Sequence, residues 1–387
     1  MYRILTLNHI AAKGLERFGR EHYEVASEIP HPDAILVRSF DMHTMEIPEG
    51  LKAVGRAGAG VNNIPVEDLS ERGIAVFNAP GANANAVKEL VLAGMLLAAR
   101  NICQAWAYTR ELQGDDAELH RQVEAGKKRF AGFELTSRTL GVIGLGAIGV
   151  QVANAARGLG MEVVGYDPHM TVGRAWQLDA GVRQAASVDD LVARCDMLSL
   201  HVPLNEHTRH LLDADRIQAL RPGTVLLNFA RDGIVDAAAV LRALDAGHLH
   251  AYVCDFPGQP LQGHDRVIAL PHLGASTVEA EENCAVMVAD QLRDYLEHGN
   301  VHNAVNLPEV HLPRAGDARL AIINRNRPDM VGQISHVLGQ NGINIVHMVN
   351  ESRAGLAYSL IDTEGGIDEE AARGIAGIDG VLRMRVL

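Results

Sequence analysis

The chain reads as an α/β protein built of two successive strand-and-helix lobes, followed by a small α+β module. Three observations predict this. Short apolar strands alternate with helical runs along most of its length. One of those strands runs directly into a glycine fingerprint, Gly144-x-Gly146-x-x-Gly149. Beyond a proline-bearing linker at 307–316, the order changes to strand, helix, strand, strand, helix, strand. In the first lobe, strands are expected at 4–7, 34–37, 51–55 and 74–78, each stopping in a polar or glycine-rich turn. A helix is expected over 81–100, and 101–133 continues as amphipathic, charged sequence. The strand that starts at Thr139 ends at the glycines, and a helical run over 150–159 follows. Further strands at 162–167, 197–201, 225–228, 251–255 and 267–270 precede a helix over 278–298. The module's elements are expected at 319–323, 330–340, 343–349, 356–362, 367–375 and 381–386.

The 387 residues suit two or three domains, each burying its own core. A formal charge of −13 with no Lys/Arg block argues against nucleic acid as a partner. No apolar run approaches about 18 residues and the start reads as a first strand, so no membrane partner and a cytoplasmic location are expected. The four cysteines, Cys103, Cys195, Cys254 and Cys284, contain no C-x-x-C pair. Neither a metal site nor a disulfide framework is therefore expected, and all four read as small buried residues. The histidines outside the motifs below, with Trp106 and Trp176, show no interpretable spacing and default to surface or packing roles.

The glycine fingerprint has the geometry that seats a pyrophosphate. Gly144 permits the tight turn, Gly146 lets the backbone approach the phosphates, and Gly149 lets the helix pack close to the strand. Ala147 and Ile148, between the second and third glycines, are counted with the cofactor-binding residues, and the N–H groups of the following helix point at the anion. The next strand ends in Asp167, where a carboxylate can hold ribose hydroxyls, which favours NAD over NADP. His201, Val202 and Pro203 end a strand near the expected adenine position.

In open α/β sheets ligands bind beyond the carboxyl ends of strands, so polar residues that end apolar strands are the ones to collect. Arg231 follows the strand ending at Asn228, and His272 follows the strand at 267–270. Oxidising a hydroxyl beside a carboxylate needs a fixed cation and a base, and Arg and His supply a bidentate fork and a suitable pKa. Taken singly, they also suit a surface ion pair and a helix cap. Arg38 and Ser39 end another strand, and Arg56 a third, so two arginines suit a dianion. A structural ion pair is the alternative for Arg56. Lys88 either adds a third positive charge or stands as an exposed helix lysine.

These motifs, at 51–64, 78–83, 144–149 with Asp167, 228–236 and 271–277, resemble those of the D-isomer-specific 2-hydroxyacid dehydrogenases, in family order and over nearly the whole chain. The resemblance implies a flavodoxin-like substrate lobe (1–97 and 284–310) and a Rossmann NAD lobe (98–283), with the active site between them. It implies that Arg231 binds the substrate carboxylate and carbonyl oxygen, that His272 is the acid/base, and that Asp255, with Ala230 and Gly274, contacts the cofactor. Arg38, Ser39 and Arg56 are placed near the substrate, with the N–H groups of Ala59, Gly60 and Val61 receiving its carboxylate. The branch implied acts on 3-phosphoglycerate at the head of serine synthesis. A glyoxylate or hydroxypyruvate reductase and an NAD-sensing, corepressor-like binding module are the alternatives.

One departure concerns the base. The family usually places a Glu between the positions of Asp255 and His272, and none exists here. Asp265 begins roughly 20 Å from His272 if the intervening strand is extended. Gln259 occupies nearly the missing residue's place, and an amide oxygen could fix the imidazole tautomer without adding negative charge. Glu279 and Glu282 on the following helix are further candidates. The last module, 317–387, resembles a ferredoxin-like ACT domain, which implies L-serine as an effector and a homodimer or homotetramer. Asn326 and Asn344 match the ligand positions. Asn324 stands where feedback-inhibited members carry His, and Asp329 where a turn Gly is usual.

Overall fold

The computed structural model describes the whole chain, Met1–Leu387. Sixteen strands form three sheets. The first holds β1 (Tyr2–Leu7), β2 (Tyr23–Ala26), β3 (Ala34–Val37), β4 (Ala53–Arg56) and β5 (Ala75–Phe77), all parallel, in the order β2-β1-β3-β4-β5. That is the flavodoxin-like doubly wound order. The runs Ala34–Val37 and Ala75–Phe77 are wholly buried, which explains why they read as continuous apolar stretches without alternation. The helix Val278–His298 returns to this unit, laying Cys284, Ala285, Val288, Leu292 and Tyr295 into the core with Leu36, Ala53 and Phe77.

The second sheet contains β6 (Thr139–Ile143), β7 (Glu162–Tyr166), β8 (Arg183–Gln184), β9 (Met197–Leu200), β10 (Thr224–Asn228), β11 (Leu249–Cys254) and β12 (Val267–Ala269). All pairings are parallel, and the order is β12-β11-β10-β9-β6-β7-β8. Strand order reverses between β6 and β9, so the crevice that binds ligands in such sheets opens beyond those two strands. Side chains at the helix starts take up the orphan N–H groups: Ser187, Asp213 and Asp236 each accept from the residue three further on.

The last sheet, β13 (Ala318–Arg325), β14 (Asn344–Arg353), β15 (Leu356–Glu364) and β16 (Val381–Val386), is antiparallel in the order β14-β15-β13-β16. With helices Met330–Gln340 and Glu369–Ala376 it forms the expected βαββαβ module. On the sheet face turned to the Val278–His298 helix it carries a fully buried ion pair, Arg319 to Asp362, with nitrogen to oxygen distances of 2.6 and 2.8 Å.

The chain divides into two compact units, Met1–Asn83 with Val278–Leu387, and Ala84–Thr277. The cut falls earlier than the expected 97/98 boundary because the helix Ala84–Ala99 buries Val87, Val91 and Met95 with the apolar residues of the second sheet. The βαββαβ module also belongs to the first unit and does not stand alone. Four of its side chains donate to backbone carbonyls at and just beyond the end of the Val278–His298 helix. Arg385 reaches Tyr295 O at 2.9 Å, Arg319 reaches His298 O at 2.9 Å, Tyr358 reaches Gly299 O at 2.6 Å, and Arg353 reaches Ala304 O at 2.8 Å. No single helix is long and apolar enough to cross a membrane.

Candidate active site

Within the unit Ala84–Thr277, the glycine loop sits at the sheet's switch point. Gly144 has φ +89°, and a Cβ there would lie 2.6 Å from His201 O, so only glycine lets the loops after β6 and β9 meet. A Cβ on Gly149 would lie 1.9 Å from Gly144 O, which fixes the close approach of helix to strand. A Cβ on Gly146, by contrast, would meet nothing within 4 Å, so this position faces open space. The helix Ala147–Gly158 begins there without a side-chain cap, leaving the N–H groups of Ala147, Ile148 and Gly149 aimed outward. Open backbone, orphan donors and the positive helix end together fit a pyrophosphate.

Asp167 ends β7 and turns back to this loop, one oxygen accepting from Leu145 N at 2.8 Å and the other from His169 N at 2.8 Å. Each oxygen keeps a lone pair for a ribose hydroxyl. His201 lies across the switch point with its Nε2 2.9 Å from Ser199 Oγ, and burial pushes its imidazole pKa down to about 4. The ring is therefore neutral near pH 7. Val202 and Pro203 continue from it, and Val202 Cγ1 lies 2.9 Å from the Gly144 Cβ position.

Arg231, Asp255 and His272 follow the carboxyl ends of β10, β11 and β12, three neighbouring parallel strands. Each is held by local bonds. Buried Asn228 donates to Arg231 O at 2.9 Å and accepts from Ala230 N at 3.2 Å, shaping the turn that exposes the Arg231 guanidinium. That guanidinium donates to Ala230 O at 2.7 Å and has no acidic partner in its unit. Asp255 is buried, and its two oxygens accept from Leu273 N and Gly274 N at 2.7 Å each. It thereby clamps the turn that holds His272 at φ +56°, a left-handed conformation uncommon for a side-chain-bearing residue. The exposed His272 ring packs on Phe256 with centroids 4.9 Å apart.

Two expectations about this region are corrected by the geometry. Gln259 makes no hydrogen bond to His272, because Gly258 and Pro260 draw the chain into a short 3-10 turn, Gln259–Leu261, that leaves the amide exposed. No other acid of the unit lies within ion-pair distance of His272. Lys88 is occupied within its own helix, donating to Asn85 Oδ1 at 2.6 Å and pairing with Glu89 at 3.7 Å.

Within the other unit, Arg38 and Arg56 converge at the ends of β3 and β4. Arg56 Nε donates to Arg38 O at 3.0 Å, Asn63 donates to the same oxygen at 3.3 Å, and a Cβ on Gly58 would lie 1.9 Å from Arg56 Nη1. The bare glycine gives that guanidinium its room. Ser39 N donates to Asn8 Oδ1 at 3.2 Å, and Asn78 donates to Ala59 O, ordering the 58–61 turn that carries Gly60 and Val61. Arg38 also pairs with Glu281 at 2.7 Å, a partner that the sequence does not reveal. Glu282 pairs instead with Lys13 at 2.9 Å.

In the module, Asn326 and Asn344 are exposed, while Asn324 is buried in β13 with its amide nitrogen on Arg325 O at 2.8 Å. Asn324 is therefore not a surface ligand group. Asn344 donates to Glu364 at 3.0 Å at the start of the edge strand β14.

The model of the D-isomer specific 2-hydroxyacid dehydrogenase NAD binding domain matches residues 92–274, which covers the glycine loop, Arg231, Asp255 and His272. A D-3-phosphoglycerate dehydrogenase of Escherichia coli K12 is 35% identical over 88% of this chain and 82% of its own length. One from Methanocaldococcus jannaschii is 36% identical over 84% of this chain, which spans 61% of that relative. Among solved structures, an NAD+-bound 3-phosphoglycerate dehydrogenase of Entamoeba histolytica superposes with a TM-score of 0.62 at 26% identity, covering 79% of this chain and 99% of that one. With that likeness over most of its length and with the glycine loop, arginine and histidine set on the second sheet as described, the chain belongs to the D-isomer-specific 2-hydroxyacid dehydrogenase family.

Proposed function

We propose that the chain oxidises D-3-phosphoglycerate to 3-phosphohydroxypyruvate with NAD, the entry reaction of phosphorylated L-serine synthesis. The observation that carries this is the placement of Arg231, Asp255 and His272 at the ends of three adjacent strands in the NAD-binding unit. The glycine loop, the start of the Ala147–Gly158 helix and Asp167 would hold NAD, which would supply the hydride acceptor for carbon 2. Arg231, free of any acid in its unit, receives the substrate carboxylate through its fork and polarises the adjacent oxygen as it becomes a carbonyl. His272 takes the hydroxyl proton, and in the reverse direction returns it. Asp255 acts through backbone, holding the turn that aims the imidazole. Arg38 and Arg56 provide the cationic pair for the phosphate, with Ser39 and the N–H groups of Ala59, Gly60 and Val61 as further donors.

The βαββαβ module reads as an ACT domain that senses L-serine with Asn326 and Asn344. The exposed outer edge of β14, beside Asn344, supports pairing of two such modules in a homodimer or homotetramer.

The test is NADH oxidation by the purified protein with 3-phosphohydroxypyruvate, run with and without millimolar L-serine. Turnover suppressed by serine supports both assignments, and turnover indifferent to serine removes the effector assignment alone. A higher kcat/KM with glyoxylate or unphosphorylated hydroxypyruvate replaces the substrate assignment with a reductase. NADH binding without turnover of any 2-oxo acid leaves a binding module.

A further inference from the structure

A second cluster of ligating side chains lies within the first unit, away from the residues discussed so far. The Val278–His298 helix ends shortly after Asp294, and the chain then returns through an antiparallel bridge between Val301 and Val310, with N to O distances of 2.8 and 3.1 Å. That bridge sets His302 and His311 side by side, with ring centroids 5.5 Å apart. One ligand atom each from Asp294, His302 and His311 falls within 4.8 Å of the others.

The spacing admits a metal as well as an ion pair. His302 Nε2 lies 3.4 Å from Asp294 Oδ2, long for a charge-assisted hydrogen bond, which runs at about 2.7–2.9 Å. It matches the edge of a zinc tetrahedron, about 3.3 Å for ligand bonds of roughly 2.0 Å. The outer groups are arranged as metal sites arrange them. Asn300 donates to Asp294 Oδ1 at 2.9 Å, turning Oδ2 toward the histidine. Glu309 lies 3.3 Å from His302 Nδ1, which places the proton on that nitrogen and leaves Nε2 as the ligand.

An independent observation points to a ligand here. Asp294 and His302 line a cleft of about 670 Å³ together with Gln291 and Asn303. Gln291 is 6% exposed, and neither its amide oxygen nor its amide nitrogen has a protein partner. A buried, unpaired amide on the wall of a cleft is costly unless a bound species satisfies it.

We propose that Asp294, His302 and His311 form a binding site for a divalent transition metal, with zinc the ion that two imidazoles and one carboxylate suit best. Three protein ligands leave a further position for water or a small donor ligand. The metal ties the Val278–His298 helix to the 299–312 segment that leads into the module.

The test uses the untagged full-length protein, stripped with a chelator and titrated with zinc chloride against a chromogenic chelator, and separately with cobalt chloride. One zinc per chain, together with visible d–d bands from bound cobalt, is the expected result. His311 is exposed, so His311→Gln keeps the fold, which circular dichroism checks, and it weakens zinc binding by more than about 100-fold; Glu309→Gln weakens it by about 10-fold. Absence of stoichiometric zinc binding overturns the proposal, and so does binding that is unchanged in His311→Gln.

Discussion

Arg231 and Arg38 each follow a parallel strand and look alike in the sequence, yet the structure treats them differently. Arg231 rests on its own neighbour's carbonyl and faces no acid of its unit, whereas Arg38 is paired at 2.7 Å with Glu281 from a distant helix. A guanidinium without an acidic partner can take a carboxylate without giving up an ion pair, while a paired one must exchange one anion for another. The difference teaches that a strand-end cation marks a site, and that its pairing decides how much binding energy it can release there.

The comparison breaks if the two arginines prove equally sensitive. Arg231→Lys is expected to lower kcat/KM for 3-phosphohydroxypyruvate by about 10³-fold, because a point charge cannot replace the fork, while Arg38→Lys costs about 10-fold. Steady-state kinetics of both variants settles it.

Pairing in the core supplies the opposite extreme. Burial alone raises the Asp362 carboxyl, but the Arg319 guanidinium and the Ala315 N–H outweigh it and hold it below the ordinary 3.8. A depressed carboxyl contributes stability that is complete above its unfolded pKa and is lost as pH falls through the folded value. Asp362→Asn should therefore cost about 3–5 kcal/mol near neutral pH, by denaturant unfolding, and the deficit should shrink in acid below pH of about 4. A constant deficit down to pH of about 2 would sink this reading.

The half-buried Arg38–Glu281 pair is worth far less. Glu281→Gln frees Arg38 and is expected to lower KM for the phosphorylated substrate about two- to five-fold with kcat unchanged. An unchanged KM would mean that Arg38 does not meet the substrate.

The smallest effect concerns a single backbone angle. Asp329 takes φ +67°, the left-handed conformation for which the expected family glycine is suited. Asp329→Gly should raise stability by up to about 1 kcal/mol in thermal unfolding, since it relieves that strain although it loosens the unfolded chain. A fall in Tm would show that the carboxylate contributes more than the strain costs.

Much of this was legible in the sequence because it is local. The glycine loop, Asp167, Arg231 and His272 each stand where an apolar strand stops, and a strand end is visible in a window of a few residues. The edge strand Tyr23–Ala26 was not expected, since four residues containing a glutamate carry too little pattern. Glu281 and the His302/His311 pair were illegible for a different reason: each meets its partners only through the fold, by a returning helix or an antiparallel bridge. Gln259 was misplaced because sequence position after Asp255 says nothing about the direction in which a Gly–Gln–Pro turn sends its side chain.

The bonds from Arg385, Arg319, Tyr358 and Arg353 to carbonyls around the end of the Val278–His298 helix bear on how portable the C-terminal module is. The linker at 307–316 punctuates the sequence as if the module were an appendage. Severing the chain there would strip four backbone oxygens of their donors and uncover the ring of Tyr295, on which Arg385 stacks at 4.1 Å. Transplanting the module to another dehydrogenase thus calls for its arginines and a matching helix end in the recipient, not for a tether of suitable length alone.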